Sequence, residues 1–87
     1  MTSDEYTAVL QQARDALMRV TSDVRLAGEG SARFLVATRG NCGVEFYADA
    51  DGFFIDPAIR EELQGERVFK TVDEALTWAV DWLARAS

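Results

Sequence analysis

Residues 24–55 leave this chain little choice of architecture, because every change of direction within them is too short to hold a crossover. Val24-Arg-Leu-Ala27 alternates and is broken by Gly28-Glu-Gly30-Ser31. Arg33-Phe-Leu-Val-Ala-Thr38 is apolar at consecutive positions and is turned by Arg39-Gly-Asn-Cys-Gly43. Val44-Glu-Phe-Tyr-Ala48 alternates again and meets Asp49-Ala-Asp-Gly52, after which Phe53-Phe-Ile55 returns. Short alternating runs bounded by such turns are strands, and parallel neighbours would need connections of about a dozen residues. Hairpins follow, and with them an antiparallel sheet, Gly52 supplying the positive φ of the tightest connection.

Two amphipathic stretches bracket the strands. Thr2-Ser-Asp-Glu5 fits a capping box, and Tyr6, Val9, Leu10, Ala13, Leu17 and Val20 recur at three and four, which predicts a helix over Ser3–Val20. Thr71-Val-Asp-Glu74 repeats the signature and opens a helix to Ala86, with Val72, Leu76, Ala79, Val80 and Leu83 on its core side. Trp78 and Trp82 stack along one flank of that helix and widen its apolar arc to about 200°, so something must cover them. Asp56-Pro57 predicts a short helix closed by Gly65, and Arg67-Val-Phe-Lys70 an edge strand.

The expected fold is therefore α+β, a single domain over 1–87. An antiparallel sheet of four to five strands carries the N-terminal and C-terminal helices on one face and a short helix between strands, in the order α-β-β-β-β-α-β-α. Alternation assigns Val24, Leu26, Phe34, Val36, Val44, Phe46, Phe53, Ile55 and Val68 to the helix side. The open side then holds Arg25, Arg33, Leu35, Ala37, Arg39, Glu45, Tyr47 and Phe54.

Composition narrows the function classes. A chain of 87 residues buries only about 60–65 % of the surface its unfolded form exposes, and self-association would relieve that thin margin. The net charge of −6 is uneven: residues 14–44 hold five arginines against three acids, whereas 45–87 hold ten acids against four bases. Such a chain repels phosphate backbones and suits a basic partner, which argues against nucleic acid. No apolar run approaches a membrane span, the amino end lacks signal-peptide character, and the single cysteine, Cys42, cannot form an internal disulfide. A soluble, cytoplasmic protein is expected.

With no histidine, the chain lacks histidine triads, Cys–His pairs, Cys/His zinc sites and the commonest general base near neutral pH. Neither GxGxxG nor GxxxxGK[ST] occurs, and no cofactor is expected. Asp49, Asp51 and Asp56 fail the calcium-loop pattern, because Phe53 and Phe54 stand where an oxygen ligand and a glycine are needed. The glutamates Glu61 and Glu62 read as a solvated face. Cys42, without an adjacent base, reads as a turn residue.

What remains is apolar and aromatic area beyond what one thin core can use. The leading expectation is a non-enzymatic protein-binding module acting on a protein partner, with basic character and self-association both compatible. Arg33, Leu35, Arg39, Tyr47 and Phe54 would supply one surface, or Trp78 and Trp82 another. The alternatives are a small enzyme using carboxylates or Cys42, and a single-strand nucleic-acid binder using Phe46, Tyr47, Phe53 and Phe54. In size, acidity and element order the chain is similar to small secretion chaperones and toxin-neutralising immunity proteins, a likeness of architecture that no motif carries.

Overall fold

Both capping signals start helices where they stand. In the computed structural model, which describes residues 1–86, helix α1 spans Ser3–Leu17 and helix α2 spans Val72–Ala84. At α1 the box closes from both sides: the Glu5 amide donates to Thr2 Oγ1 at 3.1 Å and the Thr2 amide to Glu5 Oε1 at 3.4 Å. At α2 the Glu74 amide donates to Thr71 Oγ1, but the Glu74 carboxylate takes the Thr71 hydroxyl instead of the cap amide, both at 3.2 Å. Each cap satisfies N–H groups that a first turn leaves unpaired. Helix α1 stops at Leu17, short of the expected Val20. Beyond it Thr21 turns the chain into the sheet, its hydroxyl donating to the Thr38 carbonyl at 2.6 Å and accepting from the Asp23 amide at 3.2 Å.

The strands are β1 Asp23–Ala27, β2 Phe34–Arg39, β3 Cys42–Asp49, β4 Gly52–Ile59, β5 Glu62–Leu63 and β6 Arg67–Phe69. All pairings are antiparallel in the order β1-β2-β3-β4-β5, with β6 also on β4. The α+β class, the antiparallel sheet and the two terminal helices are thus as the pattern requires. Among the described residues the only helical turn between strands is a 3-10 turn at Gly30–Ala32.

The helix expected over 56–65 is not formed. Asp56 and Pro57 continue β4, and Arg60 and Glu61, with φ of 53° and 72°, make a two-residue turn into β5. The proline is tolerated because of where its missing N–H points. Its carbonyl accepts from the Gln64 amide at 2.8 Å, and in an antiparallel strand a residue's N–H and C=O face the same side. On that side the register slips: Ala58 is opposite Leu63 but Ile55 is opposite Arg67, so Gln64, Gly65 and Glu66 stand against Asp56 and Pro57. This is a bulge, with Gly65 at φ 98°, and it spares the ladder the bond that proline cannot donate.

Strand β2 sits one residue out of the expected phase. Leu35 and Ala37 lie beneath the helices, opposite Phe46 and Val44, and Phe34 and Val36 face away from them. Strand β6 is shifted likewise, with Val68 opposite Phe54 on the open side and Phe69 opposite Phe53. A run apolar at consecutive positions has no alternation to set its phase, so the Gly40-Asn41 hairpin sets it. Leu17, Phe46, Ile55 and Leu83 are fully buried between the helices and the sheet, each contributing about 2–3 kcal/mol by its apolar area.

The tryptophan flank is covered by the sheet. Trp78 and Trp82 stack at 5.4 Å between centroids and 11° between planes. The Trp82 indole donates to the Gly43 carbonyl at 3.1 Å, and Trp78 packs on Phe69 with the Arg67 guanidinium 5.4 Å from its ring. Both rings stay half-buried. No helix among the described residues is long and apolar enough to cross a membrane.

Candidate functional site

Among the described residues no element lies over the sheet face turned away from α1 and α2. Its cross-strand rows follow from the register. Arg25, Val36, Glu45 and Asp56 form one, Tyr47, Phe54 and Val68 a second, and Thr38, Gly43, Ala58 and Leu63 a third. Tyr47 and Phe54 stack face to face at 4.9 Å and 5°, the close geometry that directly opposed residues of a ladder allow. Val68, in their row, is 61 % exposed and Leu63, beyond the Glu45–Asp56 row, is 66 % exposed, the two most exposed large apolar side chains of the described chain.

Carboxylates border this apolar strip. The Tyr47 hydroxyl donates to Glu66 Oε2 across the bulge. Partial burial pushes the Tyr47 phenol well above its usual value, helped by that hydrogen bond and by the negative charges of Asp56, Glu66 and Asp49. Glu45 stands directly opposite Asp56. The Asp56 carboxyl is pushed up by burial first, then by Glu66 and Glu45. Like charges held opposite one another on a sheet destabilise it, and a cation brought to this row would relieve the repulsion.

No protein-family model, curated protein or solved structure matches the chain. The candidate site therefore stands on its own geometry.

Of the residues singled out in the sequence, Tyr47 and Phe54 come together on the open face, and Trp78 and Trp82 form the flank already described. Leu35, expected on the open face, is 3 % exposed and belongs to the core, because β2 has the other phase. Arg33 and Arg39 are also drawn to the helix side. The Arg33 guanidinium donates to the Gly30 carbonyl at 2.8 Å and to Thr7 Oγ1 at 3.0 Å, and lies 5.9 Å from the Tyr6 ring, whose hydroxyl donates to the Arg33 carbonyl. Arg39 donates to the Leu83 carbonyl at 3.1 Å, where a cation complements the carboxyl end of α2.

Cys42 is buried, its thiol 3.6 Å from Asn41 Oδ1. The Asp49 carboxylate accepts from the Asp51 amide at 2.7 Å, an Asx turn that explains those aspartates as hairpin residues. Among the described residues no three His, Cys, Asp or Glu side chains converge as metal ligands. Leu63, Glu66 and Val68 are the surface residues that sequence reasoning missed. Alternation through Pro57 would have exposed the first, had a proline facing a bulge been weighed against a proline starting a helix.

Proposed function

We propose that the chain is a non-enzymatic protein-binding module that docks a basic partner on the open face of its sheet over β3, β4 and β6. One observation carries the reading: Val68, exposed at 61 %, continues the Tyr47–Phe54 stack as an apolar row, and the carboxylates of Glu45 and Asp56 form the next row beside it. Exposed apolar area of this kind usually marks an interaction surface. Glu45, Asp56 and Glu66 supply the charge complementarity that would favour a lysine or arginine of the partner. A holding role of the chaperone or immunity kind fits such a surface, as does a cytoplasmic setting for a chain whose one cysteine has no partner for a bridge.

The test is a titration of the isotopically labelled protein with short peptides alternating lysine or arginine with leucine, and with acidic peptides of the same pattern. Basic peptides are expected to shift the amides of Glu45–Tyr47, Phe54–Asp56 and Val68, and the response should vanish in the Tyr47→Ser/Phe54→Ser variant and weaken as salt screens the carboxylates. No response to any basic peptide at about 1 mM, the weak end of specific binding, overturns the proposal. Equal response to the acidic set overturns the choice of partner.

A further inference from the structure

The two edges of the sheet are protected very differently. On one side β5 and β6 are two and three residues long and are separated by the bulge at Gly65, which interrupts any regular row of backbone donors and acceptors. On the other side β1 is five residues long, pairs among the described residues with β2 alone, and contains neither proline nor glycine. Among the described residues no strand pairs with its outer side. Beside it, a groove against α1 is lined by Leu10, Val24, Leu26 and Leu35 together with polar side chains that include Arg14 and Arg33, and Leu26 is 54 % exposed although it lies on the helix side of the sheet. An unbroken edge with an exposed apolar side chain beside it is the arrangement that accepts an added strand.

The residues of β1 say which strand. We propose that the edge is occupied by a second copy of this chain, β1 pairing antiparallel with β1 about a two-fold axis through Val24. In that register Asp23 of each copy stands opposite Arg25 of the other, on the open face, and Val24 meets Val24 on the helix face beside Leu26. The alternative centre, on Arg25, sets two arginines directly against each other and is disfavoured by like charge. Arg25 makes no ion pair among the described residues, so it is available to the second copy. The product is one continuous sheet with all four helices on the same side, and it leaves the Tyr47–Phe54 face of each copy free, so it does not depend on the function proposed for that face.

The test is sedimentation or light-scattering mass at about 100 μM, a concentration that populates dimers of micromolar affinity. The full chain is expected at twice its 9.6 kDa mass. Asp23→Arg alone and Arg25→Asp alone should each be monomeric, since each sets like charges opposite one another. The Asp23→Arg/Arg25→Asp double variant should dimerise again. An equimolar mixture of the two single variants should form a heterodimer, because one then carries two cations where the other carries two anions. Circular dichroism of each variant shows whether it is folded, and the mixture keeps the question answerable if the double variant is not. A monomeric parent chain overturns the proposal, and so does a dimer indifferent to both reversals or a mixture that stays monomeric.

Discussion

Asp56 carries the sharpest conflict in the molecule. Its neighbours on the open face are Glu45, directly opposite, and Glu66, beyond the bulge, and its carboxyl is raised by burial and by both of those charges. A carboxyl whose folded pKa lies above its unfolded one makes the native state hold the proton longer. Its contribution to stability is complete below the ordinary carboxylate range and is lost as pH rises through the raised value. Asp56→Asn removes one charge while keeping a donor toward Glu66. It should stabilise the isolated protein at pH 7 by about 0.2–1 kcal/mol, the usual cost of a like-charged cross-strand pair in partly exposed surroundings. The gain should fade in acid, where all three carboxyls are protonated. Urea midpoints of the two proteins across pH 3–8 decide this, and equal or greater stability of Asp56 at neutral pH would contradict it.

At the scale of elements, the segment 56–65 is where local signals and tertiary context part company. Asp56-Pro57 has the form of a helix start and Gly65 of a helix end, yet the segment is a strand end, a tight turn and a bulge. Local propensity is worth tenths of a kcal/mol per residue, whereas extending β4 completes the ladder with β3 from Gly52 to Ile59 and buries Pro57 under the helices. Arg60 and Glu61 pay for that choice by sitting at φ 53° and 72°, where side chains are strained. Arg60→Asn/Glu61→Gly, the residues a two-residue hairpin prefers, should therefore stabilise the protein by about 1 kcal/mol. In a helix the same glycine would cost about 1 kcal/mol, so the sign of the change in thermal or urea stability distinguishes the two conformations.

For the molecule as a whole, two phenols report on how the layers hold together. Tyr6 joins α1 to the sheet through the Arg33 carbonyl, and Tyr47 joins β3 to the bulge through Glu66. Burial raises both above the usual tyrosine value, more strongly at Tyr47. Because the folded values exceed the unfolded ones, this part of the stability is intact below the ordinary phenol range and is lost as pH climbs through the raised values. Tyrosinate absorbance is therefore expected to rise together with loss of far-ultraviolet dichroism, at a pH above that of free tyrosine. A rise at the free value with the dichroism unchanged would show that the phenols are not held as described.

The same division runs through the rest of the fold. Caps, turn glycines and the period of the apolar residues act within a few positions of each other, so they could be read directly: Thr2 and Thr71 start helices, Gly52 turns a hairpin, and Trp78 and Trp82 stack one turn apart. From these the α+β class and the antiparallel sheet follow. The phase of β2, the continuation of β4 through Pro57, and the meeting of Tyr47 and Phe54 with Val68 and Glu66 depend on which residues face each other across strands. Register couples positions far apart along the chain, and a slip of one residue reverses every side chain of a strand. Leu35 went to the core and Val68 to the surface by that rule alone, which is why the elements were legible in the chain and the composition of the open face was settled only by folding.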